Sequence, residues 1–196
     1  MAQTGKAAVL LAVALALAAC SGRSPSALPS PSPSAAAEAD PGRPLPSPVP
    51  DVVARVNGQE VHIRQILPLA KARFELVPDA ERERRRPEVV RGALRDYVDR
   101  ELLLQEALAR GLAADSRAVD FDYDQLRRDH PTEEAWSAFL AGQGMDPRSF
   151  RLELRTRHLV GALVEQEAAR RSAGPDEARA ALLDELRARA RVELLL

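Results

Sequence analysis

DVVARVNGQEVHI, residues 51–63, is the stretch that decides the fold. Val53, Arg55 and Asn57 alternate with Ala54 and Val56, and Val61 and Ile63 alternate with His62. That period of two belongs to half-buried strand. Asn57-Gly58 falls between the two runs, and both residue types tolerate positive φ, as a tight type I′ turn requires. The stretch therefore predicts a β-hairpin. A hairpin alone is marginal in water and needs a third strand or a helix to lie on.

The third strand is sought at the far end of the chain, RARARVELLL at 187–196. Chain ends usually fray, which would leave three terminal leucines wet. If Val192 to Leu196 lies beside the hairpin, a small three-stranded antiparallel sheet forms, the leucines are buried, and the two ends of the domain are tied together.

Everything between reads as helix. Residues 64–77 carry one, with a possible kink at Pro68. ERERRRP, 81–87, is expected to be a helix end and a loop. Residues 88–110 hold an apolar stripe of Val90, Leu94, Val98, Leu102, Leu104 and Leu108, with Gly111 placed to stop the helix. Asp115 or Ser116 caps the next helix, to about Arg128. Pro131 to Glu134 opens another, which Gly142 to Gly144 ends. Asp146-Pro147 starts a long helix to about Arg171, as an N-cap followed by a first-turn proline. Gly174-Pro175-Asp176 restarts the chain as a final helix over 175–190. The expected fold is mainly α, with the small sheet as its platform.

Composition excludes several functions. The 28 basic and 29 acidic residues nearly cancel, so no general field recruits nucleic acid. One cysteine rules out an internal disulfide. His62, His130 and His158 lie in separate segments without metal-ligand spacing, so no metal or other cofactor is expected. The acidic run Asp120, Asp122 and Asp124 lacks the glycine and terminal glutamate of a calcium loop. No nucleotide or hydrolase motif is present. The aromatic residues that the main stripe does not use are Phe121, Tyr123, Trp136 and Phe139, together with Met145 and Phe150. They read either as a second small core or as a groove for unfolded polypeptide, and they are the candidate peptide-binding residues.

The first twenty residues, MAQTGKAAVLLAVALALAAC, place Lys6 before an apolar run too short to span a membrane comfortably. The run ends in Leu17-Ala18-Ala19-Cys20, which resembles a bacterial lipobox. That resemblance implies a signal peptide over 1–19 and lipidation of Cys20, with several acyl chains giving a stable anchor. Ser21 points to the outer rather than the inner membrane. Residues 21–50 contain nine prolines among Ser, Ala and Gly. With Cys20 they form an expected tether over 20–50, extended at roughly 3.1 Å per residue.

VVARVNGQEVHIRQI resembles the entry hairpin of the SurA/PrsA/PpiD group of extracytoplasmic chaperones, in its Val-Asn-Gly, apolar residue and following helix. LRDYVDRELLLQEALARGL, 94–112, is similar to the next helix of that group. GMDPRSFRLELR and the long helix fit as well, and LLDELRARARVELLL resembles the group's closing helix and strand. The resemblance covers residues 51–196 and implies a SurA-N-like chaperone domain. In the group, parvulin-type prolyl isomerase domains are usually inserted between the long helix and the closing one. Here only Ser172-Ala173-Gly174 stands there. The expectation is a non-enzymatic, lipid-anchored chaperone-like protein on the periplasmic side of the membrane. It would bind unfolded or newly exported proteins without ATP and without isomerase activity. The alternative is a dedicated scaffold subunit holding one partner in an envelope or export complex.

Overall fold

The computed structural model describes residues 43–196. The signal peptide, Cys20 and most of the tether lie outside the described residues. Strands β1 (Val52–Val56) and β2 (Gln59–His62) are followed by α1 (Ile63–Glu75), a 3₁₀ turn at Asp79–Glu81 and α2 (Arg82–Ala109). Then come α3 (Ser116–Asp129), α4 (Glu133–Gly142), α5 (Pro147–Arg171), α6 (Pro175–Arg189) and β3 (Val192–Leu194). The fold is mainly α with one three-stranded antiparallel sheet, in the order β2-β1-β3.

The hairpin turn is type I′-like: Asn57 has φ 52° and Gly58 φ 87°. Ala54, Arg55 and Val56 of β1 face Leu194, Glu193 and Val192 of β3. Asn57 clips the strands together. Its N–H donates to the Arg191 carbonyl at 2.8 Å, and its Oδ1 accepts from the Arg191 N–H at 2.9 Å. Its Nδ2 reaches Gln105 Oε1 on α2 at 2.8 Å. The tail therefore folds home, but only three of its residues form strand. Leu195 adds one bond, N–H to the Val53 carbonyl at 3.0 Å, yet remains 41% exposed, while Leu194 and Leu196 are half-buried.

A β-bulge between Val52 and Ala54 breaks the simple alternation of β1. Two residues of β1 are used against one of β2, so Val53 and Ala54 are both fully buried.

The charge run 81–87 is the opening of α2 rather than a loop. Pro87 is the sixth helical residue, and its missing N–H costs only the bond to the Glu83 carbonyl, at an exposed position. Arg82–Asp79 at 2.8 Å and the Arg85–Glu88 fork at 2.9 and 3.0 Å span this region one turn apart. Pro68 is likewise carried inside α1, which ends at Glu75.

The stripe on α2 holds through Leu102 and then drifts. Leu104 is half-buried and Leu108 is 56% exposed, whereas Leu103 and Ala107 are fully buried. A row taken every four residues rotates about 40° per step, so it leaves the contact face within a few turns. The helix stops where expected: Leu112 N–H bonds the Ala107 carbonyl at 3.0 Å and Gly111 N–H the Leu108 carbonyl at 2.9 Å, with Gly111 at φ 70°.

Two cores result. The larger gathers Val53, Val56, Val61, Ile66, Leu94, Leu102, Leu103, Leu163, Leu182 and Leu186 from the sheet, α1, α2, α5 and α6. The smaller joins Val119, Trp136, Leu140, Phe150 and Leu154 from α3, α4 and the first half of α5. α5 belongs to both. Caps set its start and those of its neighbours. Asp146 accepts from the Arg148 and Ser149 N–H groups at 2.8 and 3.0 Å, Asp115 from Arg117 at 2.9 Å, and Thr132 from Ala135 at 3.1 Å.

Of residues 43–50, read from composition as the last part of the tether, Arg43 to Leu45 are held against the domain. Arg91 donates to the Arg43 carbonyl and, at 3.2 Å, to the Pro44 carbonyl, and Leu45 packs on the larger core.

Candidate client-binding surface

The six candidate peptide-binding residues divide by burial. Trp136 and Phe150 are buried, at 3% and 4% exposure, and Tyr123, Phe139 and Met145 are half-buried against them. Trp136 stacks on Phe139 with ring centres 5.4 Å apart and meets Tyr123 and Phe150 edge-on at 5.3 and 5.7 Å. His130 stacks on Phe139 at 4.4 Å. The Arg127 guanidinium lies 5.7 Å from the Trp136 ring centre, and that of Arg151 lies 3.8 Å from Tyr123 while it pairs with Asp120. Phe121 alone stands at the surface, 58% exposed. The helical period explains this. Val119, Tyr123 and Leu126 share the inner face of α3, and Phe121 is two residues from Val119, about 200° round the helix.

Two recesses lie elsewhere, along α5. A cleft of about 730 Å³ opens between α1 and α2 on one side and α5 and α6 on the other. Leu69, Val160 and Val164 give it apolar floor, and Gly161 leaves space in the middle of α5. A second recess of about 370 Å³ lies between α5 and the start of α3, beside Asp115, Asp122 and His158. Arg157, Gly161 and Glu165 border both. These three are four residues apart and so form one row on a helix. A Cβ built on Gly161 would meet nothing within 4 Å.

The walls are charged. Arg100 and, at 3.2 Å, Arg157 both pair with Glu153; Asp96 is held by Arg73; and Asp122 Oδ2 is 2.9 Å from His158 Nε2. Near the far end of α5, Glu167 is 1% exposed and accepts from Arg170 at 2.7 Å, Arg171 at 2.9 Å and Arg110 at 2.5 Å. The Arg170 guanidinium first, then those of Arg110 and Arg171, hold its carboxyl down at about 2 against the opposing effect of burial. Arg171 continues to Glu185 on α6 at 2.7 Å. This network locks α2, α5 and α6 together beyond the cleft. His62 is engaged separately, with Nδ1 2.8 Å from Asp51 Oδ2. Among the described residues no group of three or more His, Cys, Asp or Glu is placed to hold a metal ion.

Sequence reading singled out none of Leu69, Val160, Gly161 or Glu165. One signal was available: a glycine inside a long helix costs about 1 kcal/mol relative to alanine and so asks for a reason.

The described residues form a helical module seated on a sheet made from both ends of the domain, with recesses of mixed apolar and charged lining. Residues 42–164, well over half the chain, match the SurA-like N-terminal domain, and the chain belongs to that family. A chaperone-like role in general follows from that membership, in a module that is non-catalytic. The match ends within α5, so α6 and β3, which complete the larger core and the sheet, lie beyond it. The chain matches none of the curated proteins.

Proposed function

We propose that this protein is a membrane-anchored, extracytoplasmic chaperone-like lipoprotein that binds unfolded or newly exported polypeptides without ATP. The observation that carries the reading is the family match over residues 42–164. The clefts along α5 supply a place for extended chain, and binding the unfolded state lowers the free concentration of aggregation-prone polypeptide by mass action. Cys20 is the lipidated residue and residues following it the tether. The module works on the periplasmic side, at the outer rather than the inner membrane. The reading includes no prolyl isomerase activity, and it is supported by the three-residue joint, Ser172 to Gly174, between α5 and α6.

Of the aromatic cluster, Phe121 is the client contact at the surface, with the exposed parts of Phe139 and Met145. Trp136 and Phe150 hold the small core that presents them. Replacing Trp136 would thus unfold this part of the molecule and say nothing about clients, whereas Phe121→Ser tests the surface. The full chain is expected to suppress light scattering from an unfolded client protein, with no ATP added, and Phe121→Ser to weaken that suppression at unchanged circular dichroism. A chain that leaves the scattering untouched, but captures one stoichiometric folded partner from envelope extracts, would replace the chaperone reading with that of a dedicated scaffold subunit.

A further inference from the structure

We infer that the two recesses flanking α5 form a single trough, and that it selects client segments carrying Lys or Arg beside apolar side chains. This rests on the client-binding reading above and names the class of segment preferred. Continuity comes from the shared row Arg157, Gly161 and Glu165. At Gly161 a chain can cross α5 where any other residue would raise a side chain, because the space a Cβ would enter is open.

The selectivity comes from charge. Six carboxylates line the joint trough against three guanidiniums, although acidic and basic residues of the whole chain nearly balance, 29 to 28. Arg100 and Arg157 are both taken up by Glu153. Among the described residues Glu165, Asp176 and Asp115 form no ion pair, and with Arg73 on Asp96 counted, six carboxylates face four guanidiniums. Asp115 is further occupied as the α3 cap. The trough thus offers an apolar floor with a net excess of negative charge, which a basic, apolar segment complements and an acidic one does not. Each exposed pair contributes little, so two carboxylates give a preference of about three- to tenfold. It fades when salt brings the Debye length to about 3 Å.

The test uses the full chain and three fluorescein-labelled peptides of equal apolar content, carrying arginines, aspartates or no charge. Anisotropy should show the arginine peptide bound about three- to tenfold more tightly than the neutral one. The double variant Glu165→Lys with Asp176→Lys should abolish that preference. Gly161→Phe should weaken all three peptides. Both sets of changes are at exposed positions, and circular dichroism checks that the helices survive. Equal binding of the three peptides overturns the inference and leaves client binding intact. No peptide binding in a chain that still suppresses aggregation also overturns it, and moves the client site off α5. Loss of both overturns the chaperone reading itself.

Discussion

Asn57 is the sharpest point at which to strain this structure. It holds φ 52° at the hairpin turn, and its side chain makes two bonds, to the Arg191 N–H at 2.9 Å and to Gln105 at 2.8 Å. Two substitutions separate these duties. Asn57→Gly keeps the backbone conformation and removes both bonds. Exposed neutral hydrogen bonds contribute about 0.5–1 kcal/mol each, so the loss is about 1–2 kcal/mol, plus about 0.5 kcal/mol for the looser unfolded chain. Asn57→Ala loses the same two bonds and keeps a Cβ at positive φ, a conformation that costs about 1–2 kcal/mol, that glycine escapes and that alanine tolerates less well than asparagine. Alanine should therefore be the worse substitution by about 1 kcal/mol, the reverse of the usual ranking in strands and helices. Urea denaturation followed by circular dichroism gives both values. Amide exchange at Glu193 and Leu195, which face β1 across the same strand pair, should accelerate in both variants. If alanine proves equal to or milder than glycine, the positive φ is not enforced by the fold. If both cost under about 0.5 kcal/mol, Asn57 does not clip the tail to the hairpin, and the account of how the domain closes fails.

Other outcomes follow from the same geometry. Removing residues 192–196 strips β1 of a partner and uncovers Val53, Ala54 and Val56, and should cost more than about 3 kcal/mol, measured as a shift in the thermal midpoint of several degrees. Glu167 ionises at about 2 in the folded protein, below its unfolded value, so its contribution is present at neutral pH and is lost as pH falls from about 5 toward 2. Because Arg170 is 58% exposed, that contribution is about 1–2 kcal/mol after solvent screening. Glu167→Gln should remove it and flatten the acid limb of a stability-against-pH curve. Trp136 is the sole tryptophan, so its fluorescence reports on the smaller core. Leu154→Ala, at a site 3% exposed, should cost about 2–5 kcal/mol and move the fluorescence transition at least as far as the circular dichroism transition.

What the sequence determined by itself was local. Asn57-Gly58 specifies its turn because few residues tolerate two successive positive φ values. Gly111 and Gly144 end α2 and α4 for the same reason, at φ 70° and 66°. Asp115, Thr132 and Asp146 start their helices because each offers an oxygen to N–H groups two or three residues on. The tail strand was legible too, although the leucines that prompted it are covered only in part, with Leu195 41% exposed. Tertiary structure decided what lies inside. Trp136 and Phe150 are core while Phe121 is surface, a matter of which face of α3 and α4 meets α5. The bulge at Val53 put two neighbouring residues of β1 inside together. Pro87 was carried within α2 because the carbonyl it leaves unpaired is exposed. The trough over Gly161 exists only because α1, α2 and α6 stand beside α5 without closing over it. Turns and caps are settled by atoms a few residues apart, but burial depends on partners that the chain reaches only after it has folded.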